Sequence, residues 1–158
     1  MNPPRTLDRA GIAALIPHQG SMCLLTRLDT WDAQHVVCAA SNHRDADHPL
    51  RTRRGLLAPC AIEYAAQAMA LHGALIGQAA GAPATPGFLA SARGVKLQVL
   101  RLDDLPIVDA GAADELRIEA TRQAGDARQI LYAFTVHHQG RLLAEGRAAV
   151  VLNTPLAA

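Results

Sequence analysis

Glu63 is the residue whose type and setting most call for chemistry. It lies within Ala61-Ile62-Glu63-Tyr64-Ala65-Ala66, early in a run of residues suited to burial. A carboxylate in apolar surroundings is costly unless it is paired, protonated or used. Gln67 follows one helical turn later, so the two side chains share a face and the amide can orient the carboxylate. The competing explanation is a helix-start glutamate favoured by the macrodipole and reaching solvent.

A general base is the natural companion of such an acid, and histidine is the usual one. The polar stretch ahead of Glu63 holds His43 and His48, with Arg44, Asp45 and Asp47 between them. Either imidazole can reach the carboxylate if the loop folds back onto the helix; ordinary surface histidines are the alternative. The His43–His48 spacing fits no strong metal motif, and no metal is expected. His18, in Ile16-Pro17-His18-Gln19-Gly20, is read as a helix-end residue making a structural hydrogen bond. His72 reads as a satisfied core histidine. Cys60, near the helix start, could be an activated thiol, but a small buried hydrophobe explains it better. No Gly-x-Ser-x-Gly serine context and no glycine-rich phosphate loop is present.

The elements that must position these groups follow from pattern. Leu7 to Ile16 suits a short helix ended by Pro17. Met22 to Trp31 and Gln34 to Ser41 read as strands joined by a turn at Asp32-Ala33, and residues 42–58 read as a loop. Pro59 to Gln78 is rich in helix formers, with Pro59 suited to the first turn and Gly81 to the exit. That helix is apolar nearly all round, so it should be enclosed on most sides. Residues 81–87 form a loop. Phe88 to Leu100, Asp114 to Gln123, Arg128 to His138 and Arg141 to Leu152 read as strands, with turn signals at Gly125-Asp126 and Gln139-Gly140. One long helix beside mostly antiparallel strands is an α+β arrangement; strands and helices do not alternate as in a doubly wound fold.

Composition agrees with these readings. A chain of 158 residues, half of them hydrophobic and 18% charged, fits a single globular domain over 1–158. Aromatics are only 3%, so Ala, Leu, Val and Ile must build the core. The net charge of +1 offers no general attraction for nucleic acid. Cys23, Cys38 and Cys60 form no metal or disulfide pattern, which suits a reducing cytoplasm. The N-terminus lacks a signal-peptide run, and the most apolar segment carries Glu63, Gln67, His72 and Gln78, so no membrane span is expected.

The residues also resemble a known family, the β-hydroxyacyl-(acyl carrier protein) dehydratases of the hotdog fold. Residues Ile16 to Leu25 look like that family's Leu-Pro-His-Arg approach to its first strand. Glu63 to Ala68 match its helix motif Glu-x-x-Ala-Gln-Ala, which carries the catalytic acid and its neighbouring glutamine. The similarity in element order covers nearly the whole chain. Ser41 to Asp45 and Ile62 to Ala70 further resemble a narrower branch, the predicted dehydratases found with aryl polyene biosynthesis genes.

The resemblance implies a hotdog fold, an antiparallel sheet wrapped around one central helix. It implies dehydration of 3-hydroxyacyl thioesters, carried on an acyl carrier protein, to trans-2-enoyl thioesters in fatty acid or polyene-type biosynthesis. Glu63 would be the acid, and a histidine would take the C2 proton. Burial would keep Glu63 protonated or sharing a proton, and free N–H groups at the helix start would polarise the thioester carbonyl. Gln67, Cys60 and His18 would position substrate. Arg51, Arg53 and Arg54 would form a rim for the acidic carrier protein; three solvated arginines are the alternative. No cofactor is needed beyond the carrier's phosphopantetheine. A dimer is expected, either of identical chains or with a related subunit.

The chain departs from the family at one point. The family's base lies in a Gly-His-Phe-Pro-Gly loop. Here His48 stands 15 residues before Glu63, one more than in the family, is followed by Pro49-Leu50, and lacks both glycines and the phenylalanine. His43 stands 20 residues before and remains the alternative base. A hotdog acyl thioesterase and a non-catalytic acyl-binding partner subunit are the competing functions.

Overall fold

The computed structural model describes residues 3–81, 87–126 and 128–152. Its strands are β1 (Leu7–Asp8), β2 (Arg27–Trp31), β3 (His35–Ala40), β4 (Gly87–Leu97), β5 (Leu116–Gly125), β6 (Gln129–His138) and β7 (Arg141–Leu152). The helices are α1 (Arg9–Ala13), a 3₁₀ turn over Gly20–Met22, and the long α2 (Cys60–Ala79). All seven strands join one antiparallel sheet in the order β1-β2-β3-β5-β6-β7-β4. The sheet curls around α2, which packs against β3, β4, β5, β6 and β7. This is the hotdog fold. Most of the loop expected over 81–87 lies outside the described residues.

Core and strand periodicity explain the wrap. Leu116, Ile118 and Ala120 of β5 and Ile130, Tyr132, Phe134 and Val136 of β6 alternate inward at period 2. They meet Tyr64, Ala65, Ala68, Leu71 and Leu75 on the buried face of α2. The helix is less enclosed than its composition suggests. Glu63, Ala66, Ala70 and Gly73 form a half-exposed stripe along it, and a Cβ added at Gly73 would meet nothing within 4 Å.

The turns are made by local chemistry. Asp32 Oδ1 accepts the N–H groups of Gln34 and His35, each at 2.8 Å. Asp126 Oδ1 accepts those of Arg128 and Gln129. Gln139 and Gly140 both take positive φ, 47° and 83°, which is the two-residue hairpin geometry.

Two N-terminal expectations are corrected. The helix expected over Leu7–Ile16 is a two-residue strand followed by a five-residue helix, because Asp8 caps α1 by accepting from Gly11 N. The strand expected from Met22 begins only at Arg27. Backbone groups of Met22 and Leu24 are instead held by the Gln67 side chain. Past Leu97 the chain leaves β4, and residues around Arg101 pair with the approach to α2 through the Leu57–Arg101 bridge.

Candidate active site

Glu63 stands in the first turn of α2, where the helix macrodipole favours a carboxylate. Its side chain is 32% exposed, so it is neither sealed in the core nor free in water. Gln67, fully buried, donates from Nε2 to Glu63 Oε1 at 3.2 Å and to the Met22 carbonyl at 2.7 Å. The Gln67 Oε1 accepts from Leu24 N at 2.9 Å. One amide thus ties the carboxylate, the helix and the segment leading to β2 into a single unit.

The imidazole beside Glu63 is that of His18, whose Nε2 lies 3.3 Å from Glu63 Oε1. The 3₁₀ turn that follows, together with Gln19 closing on the carbonyls of Ala13 and Ile16, aims this residue at α2. His18 first, and Gln67 after it, hold the Glu63 carboxyl below its ordinary value despite the opposing effect of burial. This differs from the expectation of a carboxyl kept protonated by burial, because a cation-capable partner and an amide donor outweigh the desolvation.

His48 is buried and stays within its own loop and helix. Its Nδ1 accepts from Leu50 N at 3.1 Å. That leaves Nε2–H to donate to the Tyr64 hydroxyl at 2.9 Å, and Tyr64 in turn donates to Asn42 Oδ1 at 2.6 Å. Both ring nitrogens are therefore occupied, and burial pushes the His48 pKa down. His43 is also buried and turns to Asp114 at 3.1 Å. Among the described residues, neither imidazole is within ion-pair distance of Glu63.

The remaining candidates scatter. The Cys60 thiol, half-buried at the helix start, is pushed up by burial and by Glu63, which disfavours the reactive thiolate. The N–H groups of Cys60, Ala61 and Ile62 are bonded at 3.0 Å to the carbonyls of Leu57, Ala58 and Pro59. The expectation of free donors at the helix start is thus corrected: tight turns at the N-terminus consume them. Arg51 pairs with Asp103 at 3.3 Å, while Arg53 and Arg54 are exposed and form no ion pair among the described residues. His72 is satisfied twice in the core, by the Tyr132 hydroxyl and the Asp32 carbonyl.

What the arrangement can do is hold one carboxylate, oriented by an amide and supplied by an imidazole, at the half-exposed stripe of α2. The family resemblance implies a positioning role for His18, but no local pattern in the sequence signals that His18 meets Glu63 across 45 residues. Among the described residues no helix is long and apolar enough to cross a membrane.

Comparison with known proteins extends this picture. The chain has no match among curated protein sequences. Among solved structures it resembles a chain of the dehydratase heterocomplex ApeI:P from Xenorhabdus doucetiae, with 22% identity, 91% of each chain covered and a TM-score of 0.78. A hypothetical thioesterase with coenzyme A from Streptococcus pneumoniae is similar at 12% identity over 80% of this chain and 84% of that one, with a TM-score of 0.52. AziG from S. sahachiroi is similar at 17% identity over 79% and 88%, with a TM-score of 0.51. These likenesses are likenesses of fold. The family described as ApeP-like, ApeP dehydratase, matches residues 10–157, a span that includes His18, Glu63 and Gln67. The chain belongs to the ApeP-like dehydratase family.

Proposed function

We propose that this chain is one subunit of a cytoplasmic dehydratase that converts 3-hydroxyacyl thioesters, carried on an acyl carrier protein, to trans-2-enoyl thioesters in polyene-type or fatty acid biosynthesis. The observation that carries the reading is the Glu63–His18–Gln67 constellation, with Glu63 at the open stripe of α2, in a chain of a dehydratase family.

The chemistry divides between an acid and a base. A base removes the C2 proton, those electrons form the C2–C3 double bond, and the C3–O bond breaks. Glu63 delivers a proton to the departing hydroxide, which leaves as water, and His18 at 3.3 Å replenishes it. Gln67 keeps the carboxylate oxygen in place.

The base comes from a second, related hotdog subunit. His48 has both nitrogens engaged within this chain, which favours a role for the chain as the acid-bearing half of a shared site. The surface available for such a partner is β4, which ends the sheet with its outer edge unpaired among the described residues and exposes Phe88, Leu89 and Leu97. The half-exposed small residues of α2 leave room for close approach. A partner there would also desolvate Glu63 and favour its protonated form.

The test is dehydration of a 3-hydroxyacyl thioester on a carrier protein, followed by mass spectrometry, using this chain alone and in complex with a related subunit. The complex should be active, and Glu63→Gln should lower its rate by about 10²–10⁴ with the complex intact. Full activity in the Glu63→Gln complex defeats the assignment and leaves a scaffolding subunit. Release of free thiol from an unsubstituted acyl thioester would instead support a thioesterase.

A further inference from the structure

We propose that His43, Asp114 and His138 form a binding site for one divalent transition ion, for which Zn²⁺ is the probe. The three residues come from distant parts of the chain. They meet because β3, β5 and β6 are neighbours: Ala40 of β3 faces Leu116 of β5, which faces His138 of β6. His43 lies just beyond Ala40, and Asp114 just before Leu116.

The donor set is compact and preorganised. Asp114 Oδ1 lies 3.1 Å from His43 Nε2 and 2.7 Å from His138 Nε2, and all three donor atoms fall within 4.8 Å of one another. The two imidazoles are 1% and 2% exposed, whereas Asp114 is 38% exposed, which leaves an approach from solvent. The rings do not stack, their planes crossing at 67°, and the Nε2 atoms of both contact the same Asp114 oxygen. A tetrahedral ion with ligands at about 2.0–2.1 Å needs donors roughly 3.3 Å apart, so Asp114 Oδ1 must move away by about 0.2 Å from His43 Nε2 and about 0.6 Å from His138 Nε2. Two imidazoles and a carboxylate with open positions suit borderline ions rather than Ca²⁺ or Mg²⁺.

Arg44 fits the role of an outer partner. Its Nε donates to Asp114 Oδ2 at 2.6 Å, leaving Oδ1 to face the imidazoles. Two features hold the affinity to a moderate level. The guanidinium places a positive charge beside the ion, and Arg44 Nη2 also reaches Oδ1 at 3.3 Å. Binding also displaces both Nε2 protons to Nδ1, and His43 Nδ1 is buried without a partner among the described residues. The ion would pin the loop that carries Asn42, and through Tyr64 would steady His48.

The experiment uses the purified full chain, freed of metal with a chelator and then titrated with Zn²⁺ by calorimetry and with Co²⁺ by visible absorption. One Zn²⁺ per chain, a visible Co²⁺ band removed by Zn²⁺, and a raised melting temperature are expected. His138→Asn and Asp114→Asn should each weaken binding by at least about tenfold. No stoichiometric binding by the wild-type chain overturns the proposal, as does binding undiminished in both variants, which would mark an adventitious ion on surface histidines. If a variant does not fold, the wild-type Co²⁺ spectrum decides: bands typical of octahedral water or an absent band count against the site.

Discussion

His18 and Glu63, 45 residues apart in the chain, meet at 3.3 Å through an imidazole nitrogen and a carboxylate oxygen. The contact joins the turn before β2 to the first turn of α2, and it holds the Glu63 carboxyl below its ordinary value.

Replacing His18 should therefore change Glu63 before it changes the fold. With His18→Asn, burial becomes the dominant influence and the Glu63 pKa should rise. A carboxyl group depressed in the folded state adds stability above its unfolded value of about 4.3, lost as pH falls through the lower folded value. The variant should lose that dependence. A carbon-13 titration of the Glu63 carboxyl reads the shift directly, and an unchanged midpoint would show that His18 is a bystander.

Gln67 is held by three hydrogen bonds while fully buried. Gln67→Leu leaves the Leu24 N–H and the Met22 carbonyl without partners, each costing about 1–3 kcal/mol. At about 2–4 °C per kcal/mol for a chain of this size, melting should drop by roughly 4–24 °C. Calorimetry showing a loss under 2 °C would mean that solvent or backbone rearrangement replaces the amide.

Tyr64→Phe separates the two histidine roles. It removes the hydroxyl between His48 and Asn42, at a cost of about 1–3 kcal/mol. If the base comes from a partner subunit, the complex should keep most of its dehydration rate, far more than Glu63→Gln does. A loss matching Glu63→Gln would place His48 in the reaction, acting through Tyr64.

Asp103 anchors the approach to α2. The Arg101 guanidinium and the Leu56 N–H hold its carboxyl down to about 2. A depressed folded value means stability present above about 3.9 and lost as pH falls toward 2. Denaturant titrations at pH 6 and pH 3 should show a smaller difference for Asp103→Asn than for wild type. Equal differences would remove Asp103 from the acid sensitivity. Gly55→Ala should disturb the same pair, because Gly55 has φ +103° and an added Cβ would fall 2.5 Å from Arg101 Nε.

Much of the fold was legible because it is encoded locally. The helix expected over Pro59–Gln78 is α2 over Cys60–Ala79, since an unbroken run of helix formers needs no tertiary help to declare its type. The strands β6 and β7 matched their expected bounds almost to the residue, because Gly140 and its neighbours force a tight turn and the flanking residues alternate. The segment before β2 has the pattern of a strand from Met22 but is not one. Its apolar run looks extended, yet its backbone partner is a side chain 45 residues away.

The pairing of Glu63 with Gln67 was written in the sequence, since the two are one helical turn apart and spacing alone sets their contact. Which imidazole meets Glu63 was not, nor was the convergence of His43, Asp114 and His138. Those depend on strand order and on the direction each loop leaves the sheet, and both arise from packing the apolar faces around α2. A chain carries its short-range geometry in neighbouring residues; its long-range pairings exist only once burial has chosen a topology.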